Sequence, residues 1–83
     1  MSINEETLYT TMLNALITRF GLMLTSKQCA ETLGISTRTL EERRKASSDC
    51  PSYVKSAGRT IYFPAQNIVQ YQLEKTKQSI KIA

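Results

Sequence analysis

The side chains best suited to chemistry are concentrated in residues 36–45, which read Ser-Thr-Arg-Thr-Leu-Glu-Glu-Arg-Arg-Lys. Arginine presents a planar fork of donors that matches two acceptors at once, on a phosphate or on the edge of a guanine. The hydroxyls of Ser and Thr also donate to phosphate oxygens. The segment is therefore suited to binding a polyanion, with no covalent step.

Catalytic chemistry has little support elsewhere in the chain. The protein has no histidine, so general acid–base work would fall to carboxylates or lysines. No two acids are placed so that burial would activate them, no glycine-rich phosphate loop is present, and no nucleophile has an obvious activating partner. We expect a protein that is not an enzyme.

The two cysteines, Cys29 and Cys50, cannot by themselves form a four-ligand zinc site. We therefore expect no metal and no cofactor. In a cytoplasmic protein both residues would be reduced thiols in packing or surface roles. A disulfide between them stays open as the alternative.

The basic segment must be positioned by the residues just before it. Thr25 and Gln28 have the spacing of a capping box, which starts a helix at Ser26. Gly34 supplies the left-handed residue that ends this helix. Ser36 can then accept a hydrogen bond from the first amides of a second helix.

That second helix is predicted over about Thr37–Lys45. Ala30 in the first helix is small enough to let the two helices cross closely, and Ile35 and Leu40 fill the crossing. Residues 25–45 are therefore predicted to form a helix-turn-helix, whose second helix enters the DNA major groove.

A helical wheel centred on Leu40 separates the faces of the second helix. Arg38 and Glu42 point nearly opposite to Leu40, Lys45 and Glu41 lie on the same outward side, and Thr37 lies nearer the flank. Arg38 is the candidate for reading a guanine, because the N-terminal residues of such a helix reach base edges. The hydroxyls at the helix start suit phosphate or methyl contacts, and its free amides can bind a phosphate.

The other charges of this helix have competing interpretations. Arg43 and Arg44 straddle the buried side and must extend outward along it. Glu41 and Lys45 are four residues apart in the order that favours a surface ion pair. Glu42 has no such partner, and it either accepts a hydrogen bond from a cytosine or restricts which sites are tolerated.

Residues 1–24 are predicted to form an additional helix. Its start is open between a capping box of Ser2 with Glu5 and a cap at Asn4. Two adjacent apolar rows make its stripe wider than one small core requires. The second row either covers the back of the helix-turn-helix or packs against another copy of the chain. The first row is Leu8, Met12, Leu16 and Phe20, and the second is Tyr9, Leu13 and Ile17.

Two connectors are predicted around the helix-turn-helix. Gly21 ends the N-terminal helix, with Leu22 making the hydrophobic contact of the C-cap. Leu22–Leu24 is interpreted as an apolar connector, and residues 46–52 are a loop by composition.

After this loop the apolar period changes to two, which predicts a hairpin at residues 53–63. Its strands are Tyr53–Ser56 and Arg59–Phe63, joined by a turn at Ala57-Gly58. Such a hairpin is not stable alone, so it must lean on the helices as a wing does. Facing the core we expect Val54, Ile61 and Phe63, and facing outward Lys55, Thr60 and Tyr62.

Three further cations could contact DNA. Lys55 and Arg59 lie on the hairpin, and Lys27 lies on the neighbouring helix. Arg59 at the wing tip could enter the minor groove, where negative potential attracts arginine. The alternative is a solvated charge in a turn.

Pro64 suits the first position of a closing helix over residues 64–77. We expect Ile68, Tyr71 and Leu73 on its inner face. Residues 78–83 either form a frayed tail or continue the helix. We expect solvent positions for Gln66, Gln70 and Gln72. The lysines of this region either contact phosphate or keep the chain soluble; they are Lys75, Lys77 and Lys81.

The chain of 83 residues is expected to form one domain with a modest core. No apolar run approaches the roughly 20 residues of a membrane span, and no signal peptide is recognisable, so we expect a cytoplasmic protein. The net charge is +4, and residues 25–83 hold ten of the eleven Lys and Arg residues but five of the seven acids. A basic segment that coincides with a helix-turn-helix pattern is typical of a phosphate-binding surface.

The stretch from Leu24 to Leu73 resembles the winged helix-turn-helix proteins of the excisionase and AlpA type, which are related to the DNA-binding head of MerR proteins. The most specific block is residues 24–40, followed by Pro51. The residues of 58–63, Gly-Arg-Thr-Ile-Tyr-Phe, look like the family's wing, and 66–71 look like its closing helix.

This resemblance implies a DNA-binding protein of a phage or another mobile element. Such proteins bend DNA to direct an integrase towards excision, regulate transcription, or do both. By position, Ser36, Thr37 and Arg38 match the family's groove-reading turn and helix start, and Arg59 matches its wing. The chain departs from the family in two ways. It lacks the aromatic residue that the family usually has where Arg43 or Glu41 stands, and its added N-terminal helix favours a dimer or a partner-bound form.

The sequence thus predicts a mainly helical fold with a small β-hairpin, a winged helix-turn-helix with an extra N-terminal helix. The predicted function is sequence-specific binding of double-stranded DNA. The alternative is a protein-interaction module that binds an integrase, a repressor or another phage or host protein without binding DNA. The candidate DNA-binding residues are Lys27, Ser36, Thr37, Arg38, Glu42, Arg44, Lys45, Lys55 and Arg59.

Overall fold

Four helices and a small antiparallel sheet make up the described part of the chain. The computed structural model describes residues 4–80, with side chains through residue 76. The sheet has three strands in the order β1-β3-β2. The architecture is the predicted one, a helix-rich winged fold with an N-terminal helix. The elements are α1 (Glu5–Phe20), β1 (Met23–Thr25), α2 (Ser26–Leu33), α3 (Thr37–Lys45), β2 (Val54–Lys55), β3 (Ile61–Pro64) and α4 (Ala65–Ile80).

The helix-turn-helix forms as its local signals predict. The Gln28 N–H donates to Thr25 Oγ1 at 3.2 Å, and the Thr25 N–H donates to Gln28 Oε1 at 3.0 Å, which completes the capping box. Gly34 ends α2 with φ 73° and ψ 28°, in the left-handed region where a Cβ is unfavourable. The Ile35 N–H donates to the Ala30 carbonyl at 3.0 Å, so the turn satisfies the last carbonyls of α2.

The N-terminal helix begins at the Asn4 cap, one of the two predicted starts. The Thr7 N–H donates to Asn4 Oδ1 at 2.7 Å. The expectation for Ser2 lies outside the described residues, as do those for the side chains of Lys77 and Lys81. Gly21 ends the helix as predicted, and its N–H donates to the Ile17 carbonyl at 2.8 Å.

Both apolar rows of α1 lie against this chain's own core. Leu16 is buried, and the other members of the two rows are partly buried and packed on the core cluster. The helix packs mainly along α4. This arrangement favours the predicted covering role over the predicted contact between copies.

The core joins the helix-turn-helix to the sheet and to α4. Its fully buried large side chains include Leu24 of β1, Leu40 of α3 and Phe63 of β3. From α4 come Ile68 and Leu73, as predicted, and also Val69 and Ala65; Tyr71, predicted on the same inner face, is half-buried outside the core cluster. Val69 was missed as a core residue. Of the glutamines expected in solvent, Gln66 and Gln70 are exposed and Gln72 is half-buried.

Strand β1 was not predicted. It covers Met23–Thr25, most of which was interpreted as the apolar connector Leu22–Leu24. Met23 pairs with Pro64, Leu24 with Phe63 and Thr25 with Tyr62. Leu22 makes no buried cap contact; its side chain is 68% exposed, while its carbonyl accepts from the Ala65 N–H at 2.8 Å. A three-residue strand has almost no periodicity, and its partner lies about forty residues away in the sequence.

The hairpin register differs by one residue from the predicted one. The Ser56 N–H donates to the Thr60 carbonyl and the Arg59 N–H to the Ser56 carbonyl, so the loop has three residues instead of Ala57-Gly58 alone. Val54 is therefore opposite Tyr62, and Lys55 is opposite Ile61.

This shift reverses the predicted faces of Val54 and Lys55. Val54 is 43% exposed, and Lys55 lies on the same face as Ile61, where the edge of the sheet leaves its side chain exposed. Opposed residues share a face of the sheet, so Val54 lies on the face of Tyr62, away from that of Ile61 and Phe63. The same shift places Tyr53 on the core side, where its ring lies 5.9 Å from that of Phe63.

The closing helix also differs at both ends. Pro64 is the last residue of β3 and not the first of the helix, and α4 continues to Ile80, beyond the predicted Lys77. Residues 78–80 are thus helical, and the rest of the predicted tail lies outside the described residues.

Candidate nucleic-acid interface

The exposed face of α3 carries the residues that the helical wheel assigned to it. Leu40 is fully buried, whereas Thr37, Arg38, Glu42 and Lys45 are exposed. One deeply packed leucine therefore orients the outward face. The wheel was wrong for Glu41, which is half-buried, and for Arg44, which does not extend outward.

The start of α3 is capped by Ser36. Its Oγ accepts from the Thr39 N–H at 3.0 Å and its hydroxyl lies 2.8 Å from Thr39 Oγ1. Ser36 and Thr37 are both exposed. The cap occupies one of the free amides at the helix start and the Ser36 hydroxyl donates to Thr39, so the exposed Thr37 hydroxyl and the remaining amides stay available to an anion.

Ion pairing divides the described cations into two groups. Four of them contact acids: Arg19 with Glu31, Arg44 with Glu41, and both Arg43 and Lys75 with Asp49. Within residues 4–76 the other cations are exposed and make no ion pair. These are Lys27 on α2, Arg38 and Lys45 on α3, Lys55 on β2 and Arg59 in the hairpin loop.

The unpaired group has a clear structural location. All five cations belong to the helix-turn-helix or to the hairpin, and all five were predicted as DNA-binding residues. The charge of the paired cations is partly neutralised by a carboxylate, whereas the unpaired cations present their full charge to a polyanion. Folding thus leaves the positive charge available on the elements that would contact DNA.

Arg44 is the one cation among the predicted DNA-binding residues that is ion-paired within the described part of the chain. Its side chain is only 17% exposed, and its Nη2 donates to Glu41 Oε2 at 2.6 Å. Its guanidinium also lies over the Tyr53 ring, 5.5 Å from the centroid. The expected Glu41–Lys45 pair is therefore replaced by a Glu41–Arg44 pair. The hydrogen bond from Arg44 holds the pKa of Glu41 below its usual range.

The hairpin tip holds Arg59 in an unusual conformation. Arg59 has φ 67°, in the left-handed region that costs a non-glycine residue roughly 1–2 kcal/mol. Three-residue hairpin loops place such a residue after the turn, and glycine is the usual occupant. In this loop the glycine comes one position earlier, at Gly58, and the charged Arg59 occupies the left-handed position.

The role of Asp49 was not predicted from the sequence. This residue also has a positive φ, 53°, and its carboxylate receives the Tyr71 hydroxyl at 2.9 Å and the ammonium of Lys75. Arg43 Nη1 lies 3.5 Å from its other oxygen. The loop after α3 is thereby tied to α4. Lys75 and Tyr71 lower the pKa of Asp49, and a carboxylate between turn-forming serines was the only signal in the sequence.

Both cysteines are free thiols, as expected. Cys29 is fully buried in the core, and burial together with nearby Cys50 raises its pKa to about 12. Among the described residues no group of three or more His, Cys, Asp and Glu side chains could hold a metal ion. No helix among residues 4–80 combines the length and apolarity that a bilayer crossing requires.

No protein-family model matches the chain, and no curated protein shows significant sequence similarity to it. The candidate interface therefore depends on the geometry and charges of the chain itself.

Proposed function

We propose that this protein binds double-stranded DNA sequence-specifically, with α3 in the major groove and the hairpin beside it. The supporting observation is the distribution of unpaired cations. Among the described residues they occur only on the helix-turn-helix and the hairpin, while the acids hold the others. Phosphate neutralisation supplies most of the affinity, and a few side chains supply the sequence preference.

Arg38 is the principal base-reading residue of this proposal. It is exposed near the N-terminus of α3, on the face opposite the buried Leu40. Thr37 and Ser36 contact phosphate or a thymine methyl group, Lys27, Lys45 and Lys55 contact phosphates, and Arg59 enters the minor groove. Glu42 tunes which base pairs are accepted. The biological role we propose, by resemblance, is that of an excisionase-like or transcription-regulatory protein of a mobile element, acting at the nucleoid in the cytoplasm.

The decisive experiment is selection of bound sequences from random duplex DNA, followed by titration of the selected site at several salt concentrations. Arg38→Ala is expected to weaken binding by roughly 1–3 kcal/mol and to relax the preference at one base pair. Arg19→Ala is the matched control, because it removes the same charge from an exposed arginine that contacts Glu31 at the end of α1, outside the proposed interface. Unchanged affinity and preference for Arg38→Ala at matched salt would refute the assignment.

A protein-interaction module is the second candidate, and one observation favours it. Leu22 and Met23 are 68% and 43% exposed beside a groove of about 200 Å³ whose walls include Leu13, Ile17 and Pro64. An integrase, a repressor or a second copy of the chain could bind such a surface. Duplex binding that weakens steeply with salt supports the first candidate; absence of any duplex binding supports the second.

A further inference from the structure

Three side chains connect α3 to the hairpin. Arg44 is hydrogen-bonded to Glu41 within α3, and its guanidinium lies over the ring of Tyr53. The Tyr53 ring in turn contacts that of Phe63, which is fully buried in the middle strand of the sheet. This chain of contacts, Glu41–Arg44–Tyr53, is called the clamp below.

The hairpin depends on such an anchor. Strand β2 has only two residues, both exposed, and it forms an edge of the sheet. A short two-stranded ribbon has little stability of its own. Strand β3 is held by its pairing with β1, so the part of the hairpin that needs an anchor is β2 with its loop, and Tyr53 immediately precedes β2.

The polar pair in the clamp is poorly suited to a purely stabilising role. Glu41 Oε1 and Arg44 Nε are buried and lack hydrogen-bond partners. A partly satisfied buried pair is often less stabilising than apolar residues of the same volume. The Arg44 guanidinium does, however, fix direction, because it bonds the Glu41 carboxylate and at the same time lies over the Tyr53 ring.

We propose that Glu41, Arg44 and Tyr53 are positioning residues that fix the hairpin relative to α3, and that Arg44 does not contact DNA. The consequence of this inference for binding rests on the proposed function. When Arg38 and Arg59 both contact DNA, the clamp sets the distance between them. Of the cations predicted at the interface, Arg44 is thus reassigned from contact to positioning.

The first test uses the free protein. Residual dipolar couplings report the orientation of β2 (Val54–Lys55) relative to α3, and hydrogen exchange of the Ser56 amide reports opening of the hairpin. For Arg44→Met and Tyr53→Leu we expect an altered orientation and about 10-fold faster Ser56 exchange, as for a locally opened element. The double variant Glu41→Gln/Arg44→Met avoids an unpaired buried carboxylate and should show the same change. Couplings identical to the parent in all three variants would overturn the proposal.

The second test separates positioning from phosphate contact on the selected DNA site. Arg44→Met should lose about 10-fold in affinity, within the range for coupled neighbours, with an unchanged slope of log K against log salt. The matched control Lys45→Met changes the adjacent, exposed cation and should lower that slope by about 0.9. A reduced slope for Arg44→Met would identify Arg44 as a phosphate contact and overturn the proposal. If the parent binds no duplex, the proposed function fails, whereas the couplings still decide whether the clamp orients the hairpin.

Discussion

At the scale of single residues, the structure distinguishes cations by their partners. Arg38 and Arg44 lie on the same short helix, yet one is exposed and unpaired while the other is held by Glu41 and Tyr53. Charge alone does not make this distinction. The position of each side chain relative to Leu40 does, because residues flanking the buried leucine meet neighbouring elements.

Substitution of Arg59 by glycine is expected to raise the stability of the fold and to weaken DNA binding. Arg59→Gly relieves the left-handed strain but increases the entropy of the unfolded chain, so we expect a net gain of about 0.5–1 kcal/mol in the free energy of unfolding. The same change should weaken DNA binding, since the loop loses its charge. Arg59→Asn is the control, because asparagine tolerates φ 67° without a charge.

Urea denaturation and DNA titration of these variants measure the two effects separately. Both variants should bind DNA equally weakly, with a salt slope lower than that of the parent. If Arg59→Gly bound DNA as tightly as the parent, the wing-tip arginine would have no role in binding.

At the scale of elements, the conformation of the loop after α3 is fixed by contacts with α3 at its start and with α4 further along. Ser47 takes φ 54°, and the Ser48 N–H donates to the Arg43 carbonyl at 3.0 Å, which closes α3. Asp49 then ties the loop to α4 through Tyr71 and Lys75. The chain consequently enters the hairpin from a defined point.

Asp49 predicts how stability changes in acid. Its folded-state pKa is lowered, first by Lys75 and then by Tyr71, so the unfolded state binds more protons as the pH falls. The stabilisation is therefore complete above the ordinary aspartate pKa of about 3.9 and is lost as the pH falls below it. Asp49→Asn should be less stable at pH 7 and should lose less stability on acidification. Asparagine also tolerates the positive φ of this position.

Thermal unfolding of Asp49→Asn across the pH range checks this expectation. Glu42→Gln serves as a control, because it removes an exposed carboxylate that makes no ion pair within the described residues. Parallel pH profiles for Asp49→Asn and the parent would contradict the role assigned to this loop.

At the scale of the whole molecule, one core joins every element that positions the interface. Leu24, Leu40 and Phe63 come from β1, α3 and β3, and α4 contributes Ile68. The α1 helix covers this core through α4 and is tied to α2 by Arg19 and Glu31, 2.5 Å apart. Loss of the core would therefore remove the interface as a unit.

The reactivity of the buried Cys29 thiol can show whether the core unfolds as one cooperative unit. It is fully buried with a pKa raised to about 12, so a thiol reagent should reach it only when the core opens. Labelling of a Cys50→Ser variant at pH 8 should follow the global unfolding equilibrium in urea. Because the folded-state pKa is raised, stability should also fall as the pH rises above about 9 towards 12. Rapid labelling of Cys29 without denaturant would contradict a single cooperative core.

The sequence by itself determined the elements whose signals are local. The capping box at Thr25, the left-handed Gly34, the cap at Ser36 and the burial of Leu40 all depend on residues within a few positions, so the helix-turn-helix and its outward face were predictable. The tertiary structure decided what depends on distant partners. Strand β1, the hairpin register and the pairing of Arg44 were hidden because each arises from contacts between separate elements, and one residue of register is enough to reverse which side chains face the core.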